Sequence, residues 1–221
     1  MKTKSLLQLQ AYDYIKEQIL SGGFSPDTLY SETKLSSEIG ISRTPMREAL
    51  QCLSQDGYIT IVPSKGFQIR QLTDKDMLES IQVRCAIEGY CTTVIAAQTN
   101  TPKGKNLLTA LGQILDNMRN AAATAAASHD ALEEFIDYDH QFHLMIVEYM
   151  ENDEFEQVFQ RLMYLIRLTS STALSKAGRI SGTLAEHEAY YQALKKGNGH
   201  DAYEILIQHL HMPIQINDSH K

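Results

Sequence analysis

The 221-residue sequence is poor in cysteine, has no long hydrophobic run and has no histidine before residue 129. Its three cysteines, Cys52, Cys85 and Cys91, lack CxxC spacing and are odd in number, which fits small buried side chains in a reducing compartment. No apolar stretch approaches the roughly 20 residues of a membrane helix, and the N-terminal stretch lacks the hydrophobic block of a signal peptide. We therefore expect a cytoplasmic protein that has no membrane segment.

Residues 31–61 have the pattern of two short helices around a glycine turn, followed by a strand. Leu35 and Ile39 share one face of the first helix, and Gly40 ends it because glycine adopts positive φ at little cost. The second helix is expected to open at Thr44-Pro45, a cap followed by proline. Its buried stripe comprises Met46, Ala49, Leu50 and Leu53. The pattern predicts a helix-turn-helix.

Arg43 and Arg47 lie off the buried stripe of the second helix and can face outward. The N-terminal end of such a helix enters the DNA major groove, where the planar fork of arginine binds guanine or phosphate. Two alternating strands, 58–62 and 67–70, follow and are joined by a turn at 63–66, as in the wing of a winged helix. Together these features favour DNA binding over a surface helix pair with scattered arginines.

The segments LSSEIGISRTPMREALQCLSQDGYI and VPSKGF resemble the DNA-binding domain of GntR-family bacterial transcription regulators. The resemblance implies base and phosphate contacts from the second helix and a minor-groove contact from the wing. The residues to which it assigns these contacts are Ser42, Arg43, Thr44, Arg47, Lys65 and Gly66. Two positions depart from the family pattern. Thr33 stands where many relatives have arginine, which bears on operator preference, and Pro26-Asp27 stands where they have Pro-Gly, which aspartate tolerates in a turn.

The net charge of −7 is distributed unevenly along the chain. Residues 1–73 carry eight basic and seven acidic side chains, a formal charge of +1, and residues 74–221 carry twelve and twenty, a formal charge of −8. The excess acidity therefore lies away from the proposed DNA-binding part. A charge of +1 predicts modest non-specific DNA affinity that falls steeply with salt, and pairing of two such domains in a homodimer would strengthen binding.

From Asp74 onward the sequence has helical periodicity and no convincing strand. We predict six helices there, at about 74–98, 102–125, 130–150, 153–174, 182–196 and 200–212. The predicted fold is mainly α. A winged helix-turn-helix of three helices and a β-hairpin wing occupies residues 1–73, and an all-α antiparallel helical bundle occupies residues 74–221.

Four polar residues of the bundle have spacing that suits a metal site. Asp139 and His143 are four apart on one predicted helix, His187 lies early in the next-to-last helix, and His209 lies on the last. Carboxylate and imidazole ligands suit Zn, Ni, Mn or Fe(II), and facing helices of a bundle can supply them. The spacing alone is equally typical of helical hydrogen bonds, surface pairs and capping or core histidines. We expect the other histidines, His129, His140, His200, His211 and His220, to be solvated.

The segments VRCAIEGYCTTVIAA, FIDYDHQFHLMIVEYMEN, LAEHEAYYQAL and AYEILIQHL resemble the FCD-type effector-binding domain of the FadR subfamily of GntR regulators. In many members an Asp and three His bind a divalent metal beside the effector cavity, although the name-giving member lacks the metal and binds an acyl-CoA. The matching positions here are Asp139, His143, His187 and His209. The resemblance therefore implies a divalent cofactor, Zn, Ni or Mn, next to a small organic acid.

A carboxylate effector would need a buried cationic partner as well as the metal. Arg84 on the first bundle helix is the main candidate, although an ion pair with Glu88 four residues later is an equally simple role. Arg161 and Arg167 are weaker candidates.

The combined patterns predict a ligand-responsive DNA-binding regulator, a repressor by family resemblance, that acts as a homodimer on a near-palindromic operator of double-stranded DNA. Three alternatives remain. They are a metal-dependent enzyme in which the Asp/His cluster activates water, a metal-free regulator that senses a metabolite such as an acyl-CoA, and a structural DNA-binding protein whose bundle only dimerises.

Overall fold

The computed structural model describes residues 6–25, 28–71, 73–125, 128–174 and 176–218. The chain divides into two compact units, Met1–Leu72 and Thr73–Lys221. The described residues form nine helices and one two-stranded sheet, which confirms the predicted winged helix-turn-helix followed by a helical domain. Within these residues, no helix is both long enough and apolar enough to cross a bilayer.

Three helices and a hairpin make up the first unit: α1 (Leu6–Leu20), α2 (Glu32–Ile39), α3 (Arg43–Gln55), β1 (Ile59–Val62) and β2 (Gly66–Ile69). α3 is its central element and contacts α1, α2 and β1. The predicted apolar stripe is confirmed, since the buried residues of α3 include Met46, Ala49, Leu50 and Leu53. Gly40 ends α2 in the left-handed region at φ 76°, as the predicted glycine turn requires.

α3 begins two residues earlier than predicted, so the expectation that it opens at Thr44-Pro45 was wrong. Ser42 is the N-cap, in extended backbone at φ −74° and ψ 163°, and Pro45 is the third helical residue rather than the first. A proline is tolerated there because the N–H groups of a helix's first turn have no intrahelical acceptor. The earlier start places Arg43 and Thr44 within the first turn of α3.

The wing pairs through its backbone with the segment that precedes α2. β1 and β2 pair antiparallel, with Val62 opposite Gly66, and Tyr30 adds a single bridge to Phe67 of β2. A Cβ on Gly66 would stand 1.9 Å from the Tyr30 carbonyl oxygen, and the φ of 133° at this residue is accessible mainly to glycine. Gly66 is therefore required for the close approach of these two segments.

The second unit contains six helices: α4 (Asp74–Gln98), α5 (Pro102–Ala125), α6 (His129–Glu148), α7 (Asp153–Leu174), α8 (Arg179–Lys195) and α9 (Gly199–Asp218). Thr73 and Asp76 form a capping box at the start of α4. α8 begins three residues earlier than predicted, and α9 continues through Pro213 instead of ending at residue 212. A proline removes one hydrogen bond of the helix, and Ile214, which packs against the core, lies in the part of α9 that follows.

The bundle helices enclose one apolar core. α4 contacts α6, α7, α8 and α9, and α8 contacts α9. Ile95 of α4, Phe142 of α6, Leu194 of α8 and Leu206 of α9 are all buried in this core. α4, α6, α8 and α9 are therefore close neighbours, and the buried polar side chains discussed below come from these four helices.

Candidate metal centre and nucleic-acid surface

The four residues singled out as metal ligands are brought together inside the bundle. Asp139 and His143 come from α6, His187 from α8 and His209 from α9. One potential ligand atom of each residue lies within 4.8 Å of those of the other three. Asp139, His143 and His187 are buried, and His209 is half-buried. Residues 70 positions apart along the chain thus form one compact polar cluster.

Each imidazole of this cluster forms its outward hydrogen bond through Nδ1. The three pairs are His143 with the Glu88 carboxylate at 2.6 Å, His187 with the Thr183 carbonyl oxygen at 2.8 Å, and His209 with the Glu186 carboxylate at 2.7 Å. An Nδ1–H that donates to oxygen leaves the lone pair on Nε2, which is the tautomer that binds a metal through Nε2. The surroundings therefore select the ligand form of all three rings.

The Nε2 atoms of the three rings lie close to other potential metal ligands instead of to ordinary hydrogen-bond partners. His143 Nε2 lies 3.1 Å from His209 Nε2, and His187 Nε2 lies 3.4 Å from Asp139 Oδ1. His187 Nε2 and Asp139 Oδ1 are buried and have no hydrogen-bond partner among the described residues. Buried acceptors of this kind are costly unless a proton or a cation lies between them. The donor set of three nitrogens and one carboxylate oxygen fits Zn and neighbouring transition metals.

Burial keeps the imidazoles of His143 and His187 neutral. Desolvation, with a further contribution from His209, lowers the pKa of His187 to about 4, and desolvation lowers the pKa of His143 well below its usual value. Burial alone would raise the pKa of Asp139, but the neighbouring imidazoles, His187 first among them, reverse this and lower it. Neutral imidazoles and an ionised carboxylate are the protonation state that a metal requires of its ligands.

Arg84 forms the ion pair that was the alternative to its effector-binding role. Its Nε donates to Glu88 Oε1 at 2.7 Å, and the two side chains are 9% and 0% exposed. Burial raises the pKa of Glu88, and Arg84 opposes this shift. Since Glu88 also contacts His143, Arg84 stabilises the carboxylate that orients a potential metal ligand. Its Nη2 is buried without a hydrogen-bond partner in the described structure.

Arg179 is a second arginine beside the cluster, half-buried, and sequence reasoning missed it. Its Nη1 and Nη2 donate to the two oxygens of Glu186 at 2.9 and 3.1 Å, and Nη2 also donates to the Thr183 hydroxyl at 2.8 Å. Burial would raise the pKa of Glu186, but hydrogen bonds from His209 and Arg179 lower it to about 2. Arg179 Nε is buried and has no partner among the described residues. It was missed because α8 was predicted to begin at residue 182.

A cavity of about 30 Å³ lies beside the cluster. Its polar lining consists of Arg84, Asp139, Arg179, Thr183 and His209, and its apolar lining of Ala173, Leu174, Leu210, Met212 and Pro213. A cavity of this size holds about one water molecule. An organic ligand at this position must therefore be small or must displace side chains of α8 and α9.

The prediction that the remaining histidines are solvated was wrong for His140, which is 5% exposed. α6 contacts α4, α5 and α7, so a wide arc of this helix is buried. Desolvation lowers the pKa of His140 to about 4. His200 is exposed and His211 is half-buried, whereas the side chain of His129 and all of His220 lie outside the described residues.

The two weaker arginine candidates lie elsewhere on α7. Arg161 is exposed, and Arg167 forms ion pairs with Glu133 and Asp137 of α6. Neither lines the cavity beside the cluster within the described part of the chain.

The residues expected to contact DNA lie on one accessible surface of the first unit. Ser42, Arg43, Thr44 and Arg47, at the start of α3, are all exposed. A groove of about 350 Å³ runs between α3 and the wing. Among its lining residues are Arg43, Arg47, Gln51, Ser64, Lys65 and Gly66, together with Ser31, Glu32 and Thr33 of the α2 start. Three cations and one carboxylate therefore line this groove.

Comparison with known families finds one match in each of the two units. Residues 7–69 match the family described as bacterial regulatory proteins, gntR family, and residues 79–212 match the FCD domain. Among curated proteins, the chain is 28% identical over 203 residues to the uncharacterized HTH-type transcriptional regulator YdhC of Bacillus subtilis, covering 91% of this chain and 86% of that protein. It is 25% identical to the HTH-type transcriptional repressor GlaR of Escherichia coli, over 96% of each chain.

Solved structures show the same fold. A GntR regulator from Rhodococcus sp. RHA1 aligns with a TM-score of 0.77 at 20% identity over 97% of this chain and 99% of that one. E. coli McbR/YncC aligns with a TM-score of 0.75 at 19% identity over 98% and 100%. The matched families and relatives are DNA-binding transcription regulators, not enzymes. The chain therefore belongs to the GntR family of bacterial transcription regulators, in the FadR-type group whose second domain is an FCD domain.

Proposed function

We propose that this regulator is a metal-dependent repressor whose FCD domain binds a small carboxylate effector and whose winged helix binds operator DNA. The observation that carries the proposal is the convergence of Asp139, His143, His187 and His209 inside the bundle, with each ring held by a hydrogen bond at Nδ1. The protein is proposed to act in the cytoplasm, as a homodimer.

Asp139, His143, His187 and His209 would hold the divalent ion. When bound, the ion supplies positive charge against which an anionic ligand can be desolvated. Glu88, Thr183 and Glu186 keep the three rings in the ligand tautomer, as partners of metal-binding histidines generally do. Loss of such a partner typically weakens metal binding 10- to 100-fold. Zn, Ni and Mn all remain suitable for this donor set.

The charge of the cluster supports an anionic effector. Glu88, Asp139 and Glu186 contribute −3 and Arg84 and Arg179 contribute +2, so the cluster has a formal charge of −1 with neutral imidazoles. A divalent ion changes this charge to +1, and one carboxylate then neutralises it. Buried charge is tolerated only when it is compensated in this way.

Two buried arginine N–H groups indicate where the effector carboxylate would bind. Arg84 Nη2 and Arg179 Nε are buried without partners in the described structure, and both residues line the cavity next to Asp139 and His209. Arginine N–H groups recognise carboxylates through short charge-assisted hydrogen bonds. The cavity of about 30 Å³ holds about one water molecule, so any acid must displace side chains of α8 and α9, and a small acid requires the least displacement.

In the proposed mechanism the winged helix binds operator DNA through Ser42, Arg43, Thr44, Arg47 and the wing residues Lys65 and Gly66. Effector binding would repack α8 and α9 around His187 and His209 and change the separation of the two DNA-binding units in the homodimer. Such coupling requires that the effector bind the two conformations with different affinity. Two relatives, the HTH-type transcriptional repressor GlaR of E. coli and the gluconate operon transcriptional repressor of B. subtilis, support repression.

The test uses duplex DNA selected from a random library by the full-length metal-loaded protein. Acids of two to six carbons are then screened for release of this DNA. We expect at least one to release it from the wild type and to lose at least tenfold potency against Arg179→Met, since an arginine–carboxylate contact is replaced by an apolar side chain. An equal response of metal-loaded and chelator-treated protein to every acid would contradict the metal-dependent part of the proposal.

A further inference from the structure

Glu32, the first residue of α2, lies between the two arginines at the start of α3. Its Oε1 is 3.5 Å from Arg43 Nε and 2.9 Å from Arg47 Nε. Arg47 Nε also donates to the other oxygen, Oε2, at 3.2 Å. The Glu32 side chain is only 20% exposed, whereas those of Arg43 and Arg47 are 59% and 61% exposed. One largely covered carboxylate therefore contacts both exposed arginines.

We propose that Glu32 is a positioning residue that determines the DNA selectivity of the winged helix. Its contacts with both arginines are at Nε, and both arginine side chains remain well exposed. A guanidinium held at Nε loses less side-chain freedom when its Nη groups reach guanine or phosphate. This inference rests on the proposed binding of operator DNA by this surface.

The negative charge of Glu32 also acts against indiscriminate binding. The groove between α3 and the wing is lined by Arg43, Arg47, Lys65 and Glu32, so its formal charge is +2 rather than +3. Non-specific affinity depends mainly on the number of phosphates that cations neutralise. Thr33 adds no cation at this position. Glu32 thus lowers the attraction for any DNA while it preserves the arginine geometry that a particular operator needs.

A direct contact of Glu32 with a base is the competing explanation, because glutamate can accept a hydrogen bond from cytosine N4. The geometry favours the positioning role. Glu32 Oε1 is buried and forms ion pairs with both arginines, and Oε2 accepts a hydrogen bond from Arg47. A contact with cytosine would first require these ion pairs to open.

The experiment compares Glu32→Gln, Glu32→Asp and the control Glu48→Gln in the full-length protein. Glu48→Gln makes the same charge change at an exposed position of α3. Binding is measured by fluorescence anisotropy between 50 and 200 mM salt. The two probes are a duplex selected from a random library by the wild type and a scrambled duplex of equal length.

For Glu32→Gln we expect the ratio of specific to non-specific affinity to fall about tenfold or more, the scale of one lost base contact. Its salt slope on scrambled DNA should steepen by about one unit, because one more arginine becomes available for a phosphate. Glu32→Asp keeps the charge but is one methylene shorter, so selected DNA should bind more weakly while scrambled DNA is unaffected. Glu48→Gln should leave the ratio unchanged.

Three results would overturn the inference. The first is an unchanged ratio in both Glu32 variants while the wild type discriminates the two duplexes. The second is an equal loss in Glu48→Gln, which would assign the effect to net charge. The third is a change confined to a single cytosine position of the selected site, which would indicate direct reading of that base by Glu32. A wild type that does not distinguish the two duplexes would overturn the DNA-binding proposal itself.

Discussion

The two units of this regulator use arginine–carboxylate pairs in opposite settings. In the bundle, Arg84 and Glu88 are 9% and 0% exposed, and their pair supports an imidazole of the candidate metal centre. In the winged helix, Arg43 and Arg47 pair with Glu32 and remain well exposed. A buried charge that loses its partner is strongly destabilising, whereas an exposed pair contributes little to folding. Changes in the bundle should therefore affect stability, and changes at the DNA surface should affect affinity.

The sharpest test of this contrast is Glu88→Gln, which leaves the buried Arg84 guanidinium without a charged partner. We expect a loss of about 3–5 kcal/mol in the free energy of unfolding. The matched control is Glu188→Gln, which breaks the exposed pair with Arg119 and should cost under about 1 kcal/mol. Urea unfolding followed by circular dichroism measures both. Similar losses in the two variants would mean that burial does not distinguish these pairs.

Acid should destabilise the bundle of the metal-free protein through its buried histidines. Burial lowers the pKa of His140 and of His187 to about 4, from the ordinary value of 6.5. Since the unfolded chain binds protons first, stability should be constant above about pH 6.5 and fall between pH 6.5 and 4, by roughly 3 kcal/mol for each such histidine. Residues 1–73 contain no histidine, so no imidazole of the first unit contributes to this loss.

Urea unfolding at intervals from pH 7.5 to 4.5 measures this loss. His140→Leu should flatten the pH dependence by about 1.4 kcal/mol per pH unit, the value for one proton. The exposed His200→Ala should leave it unchanged. A profile that is flat from pH 7.5 to 4.5 in the wild type would show that these imidazoles are not buried in the neutral form.

The stability of the wing should depend strongly on Gly66. Gly66→Ala places a Cβ against the Tyr30 carbonyl at a φ of 133° and should cost about 1–3 kcal/mol while weakening DNA binding. Gly40→Ala is the control, because its φ is 76° and no atom lies within 4 Å of the added Cβ, so only backbone strain of about 1 kcal/mol is expected. Thermal unfolding ranks the two, and equal losses would argue against the Tyr30 contact.

The smallest expected effect is a gain in stability at the wing turn. Ser64 has a φ of 62°, which favours glycine, and Lys65 N–H donates to the Val62 carbonyl across the turn at 3.0 Å. Ser64→Gly should therefore stabilise the first unit by a few tenths of a kcal/mol to about 1 kcal/mol, with DNA affinity unchanged. A loss of stability would indicate that the Ser64 side chain itself supports the wing.

The sequence allowed prediction of the elements and of the polar cluster, but not of the partners that orient it. Helical spacing placed Asp139 and His143 on one face, and His187 and His209 stood out on the last two predicted helices. The resemblance to FCD domains then implied that these four residues form one metal site. Glu88 is 55 residues from His143 and meets it only through the packing of α4 on α6. His140 was misjudged for a related reason, since burial on a helix with three neighbours depends on tertiary contacts.

Boundary errors had local causes. α3 was predicted to start at its proline, although proline is acceptable at any of the first helical positions. The same uncertainty hid Arg179, because placing the start of α8 at residue 182 left this arginine in a loop. Its ion pair with Glu186 depends on a separation of seven residues, which becomes informative only once both residues are known to lie on one helix.

The most direct test of the metal centre is a thermal melt of chelator-treated protein titrated with Zn, Ni and Mn. A ligand that binds only the folded state stabilises it by about 2.7 kcal/mol at a hundredfold excess over Kd, which corresponds to about 5–10 °C for a protein of this size. We predict such a rise for at least one metal, its loss in His187→Ala and its retention in His200→Ala. A flat response of the wild type to all three metals, or an unchanged rise in His187→Ala, would contradict a metal site at these four residues.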